Sequence, residues 1–397
     1  MHGSPVPDWL LAALPWVAFP LLLAWRGRER RDLREYAPAA PGSAPDRVSV
    51  VLPARNEARN IEPCIRSILA TTWPQVELLV VNDNSDDATG EIARRVAAGE
   101  PRVRVIDAPP LAAGWFGKQW ACHQAVVQAQ GGLLFFTDAD TRHRPELIAR
   151  MIGAMHARRA DMLSIAGQQL AETFWERLMQ PQLFTMIVMR YGSVERMSRS
   201  TNPFDKIVNG QCFMVTRAAY DAAGGHERVR ENVAEDLRMA QEVCRSGGSV
   251  QMLEGPDFIA TRMYEGLGEL MRGWGKNVYA AGRDTVPLGP VGQAILRAVY
   301  PWPALFNVVP FVAAVLALAG VLDTSVLWWG LTCYAAFALF EVAVMHISRV
   351  PIWYALLHPL AGVMVFVLFA RAAWRGSRVE WKGREYRSVA EFEKVPR

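Results

Sequence analysis

Nearly uncharged apolar runs lie towards both ends of the chain, and the stretch between them alternates short hydrophobic blocks with polar, helix-like segments. The first run, residues 9–25, sits at the short limit for a helix that crosses a bilayer, which takes roughly 17–25 residues. Tryptophans at both of its ends fit the membrane–water interface. Three further runs, at residues 301–322, 326–345 and 352–370, approach or reach the same length. Pro301, Pro303 and Pro310 interrupt the first of these, so it is expected to be re-entrant or partly interfacial. In the middle of the chain, the blocks at 48–53, 76–81, 103–106 and 133–137 read as buried strands. Residues 58–70, 88–98 and 120–129 read as the helices between them. That alternation predicts a parallel, doubly wound α/β sheet. Residues 174–189 form one more strongly apolar helix. It is either a core helix or an interfacial one bordering a lipid-entry groove.

Charge refines this picture. Arg26, Arg28, Arg30, Arg31 and Arg34 follow the first run, which places that side and the central domain in the cytoplasm of a cell (inner) membrane. Arg371, Arg375, Arg378, Lys382, Arg384 and Arg387 argue the same for the tail. Three full crossings after the central domain would put the tail outside; the charge rule takes precedence here over the count. The expected organisation is an N-terminal transmembrane helix with basic flank (1–30), a catalytic domain (46–284), a C-terminal membrane region (295–372) and a basic cytoplasmic tail (373–397). The net charge of +4 over 397 residues, with the basic residues flanking apolar runs, gives no general affinity for nucleic acid. Five cysteines with no Cys-x-x-Cys spacing point to free thiols rather than a disulfide framework or zinc site.

The candidate chemistry is acidic. Asp83 follows the second strand, Asp138-Ala139-Asp140 follows the fourth, and Glu235-Asp236 comes further on. Carboxylates at strand ends of an α/β sheet sit where such folds bind ligands. Two carboxylates so close repel unless a cation lies between them, and a hard cation also takes phosphate oxygens. A divalent cation shared with a nucleoside diphosphate is the expected cofactor, and the third acidic site is a candidate general base. Asp86 or Asp87 is expected merely to cap the next helix. The loop Gly114-Trp115-Phe116-Gly117-Lys118 is not a phosphate loop of the Gly-x-x-x-x-Gly-Lys type. Lys118 is either near the diphosphate or a solvated surface residue. His123, His143, His156 and His226 lack metal-ligand spacing and read as structural or surface residues.

Val48-Ser49-Val50-Val51-Leu52-Pro53-Ala54-Arg55-Asn56-Glu57, Asp83, Asp138-Ala139-Asp140 and Glu235-Asp236, in that order, resemble the GT-A fold, family 2 inverting glycosyltransferases over residues 48–281. Ala113 to Lys118, Arg262-Met263-Tyr264 and Gly273-Trp274-Gly275-Lys276-Asn277 narrow the resemblance to membrane-anchored lipid glycosyltransferases of the hopanoid-associated and carotenoid (diaponeurosporenoate) types. The resemblance implies a Rossmann-like GT-A domain between transmembrane helices. It implies that Pro53, Ala54 and Glu57 line the nucleotide pocket, Asp83 contacts uridine, and Asp138 and Asp140 hold the sugar diphosphate through Mg2+ or Mn2+, Asp140 directly. Asp236 is then the base, with Glu235, Arg272 and Trp274 on the acceptor side. Glu269-Leu270-Met271-Arg272-Gly273-Trp274 departs from the family's Gln-x-x-Arg-Trp, with Glu for Gln and an inserted residue, which argues against a processive synthase. The expected function is transfer of a sugar from a nucleotide-sugar, such as a UDP-hexose, to a membrane lipid or isoprenoid with inversion. A metal-dependent nucleotidyltransferase and a catalytically silent membrane scaffold are the alternatives.

Overall fold

The computed structural model describes residues 7–42, 47–284, 289–299, 301–375, 378–381 and 384–387. Lys382 and residues 388–397 of the expected basic tail lie outside the described residues. The chain packs as two units, one built on Glu29–Leu170 and Val194–Met263, the other on residues up to Arg28, Ala171–Ser193 and Tyr264–Gly376.

The first unit is an α/β domain. Its strands in chain order are β1 (Val48–Ala54), β2 (Val76–Asn82), β3 (Val103–Asp107), β4 (Leu133–Thr137), β5 (Thr141–His143), β6 (Met162–Ala166), β7 (Gln168–Gln169), β8 (Cys212–Thr216), β9 (Val250–Glu254) and β10 (Ile259–Thr261). Seven of them form one sheet in the order β3-β2-β1-β4-β8-β6-β9, and β5, β10 and β7 form a small second sheet. Side chains alternate between its faces with the period of two that a strand imposes. Val48, Val50 and Leu52 join one core layer with Leu78, Val80 and Phe135, while Val51, Leu79, Val81, Leu134 and Phe136 join the other. Burial on both faces is why these strands read as continuous hydrophobic runs.

One expectation is corrected. The sheet is mixed, because β8 runs antiparallel to both β4 and β6. A parallel neighbour would have to be entered from the far edge through a crossover, whereas an antiparallel one starts at the edge where its neighbour ends. The chain leaves β6 at Ala166 and re-enters at Cys212 beside Thr137, so the residues just before β8 reach the same edge as the end of β4. Helix boundaries also shift. The expected helix at 58–70 begins only at Ile61, after a turn closed by the Asn60 amide on the Glu57 carbonyl. The one expected at 120–129 begins at Gly117, so Lys118 lies in its first turn.

The second unit is helical. It contains Asp8–Gly27, Phe174–Tyr191, Leu267–Asp284, Gly289–Val299, Val308–Leu318, Thr324–Ile347 and His358–Arg375. Three stretches are long and apolar enough to cross a membrane: Asp8–Arg26, Thr324–Ile347 and Ile352–Arg375. The proline-bearing run is shorter, Trp302–Leu318. It is a 3-10 turn at Trp302–Leu305 followed by a helix that starts after Asn307 and stops before Gly320, whose φ is +74°. Phe174–Tyr191 is buried along its middle, with Leu178, Met179 and Leu183 packed among Leu270, Tyr354, Val365 and Phe369.

Candidate functional site

The ends of β1 and β2 form the first wall. Their parallel register sets Ala54 opposite Asn82, and the Asp83 amide donates to the Ala54 carbonyl at 2.9 Å. The Arg55 guanidinium donates to the carbonyls of Asp83 and Asn84 at 2.7 and 2.8 Å. Asn56 and Asn84 hold left-handed conformations (φ 52° and 51°), a region asparagine tolerates better than most residues. Those kinks lace the two loops together. Asn56 Oδ1 accepts from the Asp86 amide, Ser85 Oγ from the Asn56 amide, and Thr89 Oγ1 from the Glu57 amide at 2.7 Å. Asp87 caps as expected, accepting from the amides of Thr89 and Ala58. Asp83 is buried at 1% exposure under this lacing.

The second wall is charged. β4 delivers Asp138, and Lys118 Nζ lies 2.8 Å from Asp138 Oδ1 and 2.8 Å from Glu235 Oε1. Lys118 is therefore no solvated surface cation. Burial alone would lower its pKa, but Asp138, Glu235 and Asp236 together raise it well above the ordinary value, so it stays protonated. Its loop is pinned to the segment that precedes Glu235: the Phe116 amide donates to the Arg230 carbonyl at 2.9 Å, and Gln119 Nε2 donates to the Asn232 carbonyl.

Glu235 and Asp236 open the helix Glu235–Arg245, where backbone N–H groups favour carboxylates. Asp236 Oδ1 accepts from the Leu237 amide at 2.7 Å and Oδ2 from the Gly210 amide at 2.8 Å. Burial, reinforced by Glu235, pushes the Asp236 carboxyl up to about 6, while Lys118 and these two amides hold it from rising further. A base with a pKa near the working pH combines an ionised form with useful proton affinity.

Pro53, Lys118, Asp138, Glu235 and Asp236 line one cavity, together with Cys122, Phe136, Thr137, Gly210, Phe213, His226 and Met239. Asp140 and Glu57 lie close enough to act on each other through charge: burial, then Asp138, then Glu57 push the Asp140 carboxyl up to about 7. Among the described residues no three His, Cys, Asp or Glu form a ready-made metal cage. The donor chemistry nevertheless fits a hard cation, since Asp140 Oδ1 is buried without a hydrogen-bond partner beside Asp138. Mg2+ is ordinarily held by one or two carboxylates plus substrate phosphates, not by a full protein cage. Arg272 and Trp274 lie elsewhere, on the helix Leu267–Asp284 of the helical unit, with Trp274 edge-on to Phe184 at 5.5 Å.

Seven of the lining residues were not candidates from the sequence, and two of them shape the site: His226, read there as structural or surface, and Gly210. His226 sits in the wall, its Nδ1 2.8 Å from the Tyr220 hydroxyl. Burial, aided by Lys118, takes its pKa down to about 3, so it is a neutral group. Gly210 carries no local signal, yet a Cβ there would lie 2.7 Å from Asp236 Oδ2.

The cavity thus gathers carboxylates from the strand ends of a mixed α/β sheet and from the start of a helix around one lysine. Residues 49–223 match the family model for glycosyl transferase family 2. The chain is 28% identical over 353 residues to a 4,4'-diaponeurosporenoate glycosyltransferase of Staphylococcus aureus strain MRSA252, covering 85% of this chain and 88% of that one. The USA300 protein of the same name is 27% identical over 355 residues. Among solved structures, a mannosyltransferase from Pyrobaculum calidifontis, in complex with GDP-Man and Mn2+, superposes with a TM-score of 0.60 at 20% identity. That match covers 93% of this chain and 97% of the other. The match over residues 49–223, the relatives and the shared fold together support a glycosyltransferase, and three helices among the described residues are long and apolar enough to cross a membrane.

Gly210→Ala should leave folding intact and displace the Asp236 carboxylate. Turnover is expected to fall by at least ~10²-fold, the lower range for losing a general base. Thermal unfolding and donor turnover measured on the same preparation check this.

Proposed function

We propose that the enzyme transfers a hexose from a nucleotide-sugar, of the UDP-hexose kind, to a lipid or isoprenoid acceptor at a membrane, with inversion. The observation that carries this reading is Asp236, held by two backbone amides in the same cavity as Lys118 and Asp138. The acceptor hydroxyl attacks the anomeric carbon as its proton passes to Asp236. The bond from that carbon to the diphosphate oxygen breaks on the opposite face, and the nucleoside diphosphate leaves with the bonding electrons. Lys118 provides a fixed positive charge beside the developing anion. Asp83 and the laced loops behind Pro53, Ala54 and Glu57 hold the nucleoside. A bound Mg2+ or Mn2+ would be held by Asp138 and Asp140, and would neutralise the leaving diphosphate as a Lewis acid. The Pyrobaculum calidifontis mannosyltransferase, solved with GDP-Man and Mn2+, supports a nucleotide-sugar and a divalent metal.

The apolar helices support a membrane-borne acceptor, as do the relatives named for 4,4'-diaponeurosporenoate. The helix count supports a cytoplasmic tail. With Trp302–Leu318 too short to count as a full crossing, Thr324–Ile347 and Ile352–Arg375 are, among the described residues, the two candidate spans between the catalytic domain and the C-terminus. Two crossings return the tail to the side on which it started. Both basic clusters then face the cytoplasm.

Four outcomes follow. Asp236→Asn should keep donor binding and lose ~10²–10⁴-fold in turnover with a hydroxyl acceptor. In the unsubstituted enzyme, kcat/KM should rise with pH through about 6 as Asp236 ionises, then level off, and this limb should be absent from the residual activity of the variant. Asp140→Ala should abolish the gain in UDP affinity that Mn2+ confers, as read by calorimetry; an unchanged gain would remove Asp140 from the metal site. Reporter fusions at Ala44 and Arg397 should both report a cytoplasmic location, and opposite signals would refute the two-crossing topology.

A further inference from the structure

The catalytic cavity holds one polar side chain that neither the charge balance nor base catalysis uses. His226 lines it with Lys118 and Asp236 and is 2% exposed. Its place is set locally. Gly224 and Gly225 turn the chain through left-handed conformations, φ +80° and +54°. A Cβ at Gly225 would lie 2.6 Å from Tyr220 Cε1, so only glycine lets the Tyr220 ring come this close to the backbone. That approach brings the Tyr220 hydroxyl to His226. The oxygen accepts from the His226 backbone amide at 2.9 Å and lies 2.8 Å from Nδ1. Phe136 holds the other side of the imidazole, with ring centroids 5.0 Å apart.

The protons of this contact can be placed. The Tyr220 hydroxyl carries one proton, and its oxygen already accepts the backbone amide. If Nδ1 were the protonated ring nitrogen, the oxygen would accept twice. The tyrosine proton would then be left without an acceptor in a buried site, which is costly. The hydroxyl therefore donates to Nδ1, and the ring proton sits on Nε2. Burial beside Lys118 keeps the imidazole neutral, with a pKa of about 3. The hydrogen bonds of His226 are the two to Tyr220, so among the described residues nothing takes the Nε2–H.

The surroundings favour a neutral partner for that N–H. The lining residues carry the carboxyls of Asp138, Glu235 and Asp236 against the single ammonium of Lys118. An anion gains little at the His226 end of such a wall. A polyol gains more, because its hydroxyls can donate to carboxylates while their oxygens accept from an N–H. Phe136, Phe213 and Met239 add the apolar surface that the C–H face of a sugar ring covers. Thr137 is committed, its Oγ1 donating to the Gln211 carbonyl at 2.9 Å. His226 Nε2–H is thus the one neutral side-chain N–H in the described lining.

We propose that His226, its proton placed on Nε2 by Tyr220, is a specificity residue that donates a hydrogen bond to one hydroxyl oxygen of the hexose being transferred. This rests on the reading of the enzyme as a nucleotide-sugar transferase and deepens it on the donor side, with no constraint on the acceptor.

The test is calorimetry on the full chain in detergent with Mn2+. The probes are the bare nucleoside diphosphate, the intact donor and the singly deoxygenated forms of that donor. The donor is whichever of UDP-glucose, UDP-galactose and GDP-mannose the enzyme hydrolyses fastest. His226→Phe keeps the ring packing and removes the N–H. It should weaken the intact donor by roughly 3–10-fold, the value of one net hydrogen bond, and leave the bare diphosphate unchanged. One deoxygenated donor should bind variant and unsubstituted enzyme equally, because the oxygen that took the N–H is gone. A residue that merely supported the fold would show no such selectivity. His226→Phe also strips Tyr220 of a partner, so His226→Gln is measured beside it. Its amide N–H reaches the place of Nε2 and should restore affinity for the intact donor. Equal weakening of diphosphate and donor, an unchanged donor affinity in His226→Phe, or a loss that no deoxygenated donor cancels would each overturn the inference and leave the nucleotide-sugar reading standing. If the unsubstituted enzyme neither binds nor hydrolyses any of the three donors, that reading fails, and this inference with it.

Discussion

A single ammonium group balances the catalytic cavity. Lys118 bridges Asp138, at the end of β4, to Glu235, at the head of a distant helix, at 2.8 Å on each side. It is the one permanently charged cation among the cavity's lining residues. Without it, Asp138, Glu235 and Asp236 would repel one another inside a partly desolvated pocket. With it, Glu235 is held as an ion-pair partner while Asp236 is left with a carboxyl near 6. Asp140, further from this cation and without a hydrogen bond to Oδ1, rises to about 7. The carboxylates therefore run from paired to unpaired, as the proposed roles of screened group, base and metal ligand would require.

The backbone holds this arrangement from both sides of the sheet edge. Two left-handed asparagines lace the loops after β1 and β2, which fixes Asp83 beneath them. The antiparallel strand β8 brings Gly210 to the end of β4, where its N–H orients Asp236. A parallel strand in that place would start from the opposite edge and leave Asp236 with one amide instead of two. The mixed sheet in this sense helps to build the cavity.

The helical unit follows different physics. Its apolar exterior suits lipid, where leaving backbone groups unpaired is costly and helices are the natural solution. Its interior is less uniform than composition suggests. Gln182 and Glu341 satisfy each other there, and polar groups in such surroundings are expensive unless paired.

The sequence by itself determined the strands at 48–53, 76–81, 103–106 and 133–137, because burial on both faces writes an unbroken β-branched or aromatic run. It determined the apolar helices, because spanning lipid requires length and the absence of charge. It also singled out Asp83, Asp138, Asp140 and Glu235-Asp236, since carboxylates at strand ends and helix starts are legible locally. Only the tertiary structure decided that Lys118 faces inward, because a lysine after a glycine looks alike whether it is solvated or paired. Only the fold could show Gly210 and His226 in the cavity wall, for most of the residues that line it with them, from Pro53 to Asp138, lie far back along the chain and leave no periodic trace. The direction of β8 was likewise hidden. A buried strand has the same hydrophobic pattern whichever way it runs, and the choice is made by which sheet edge the chain has already reached.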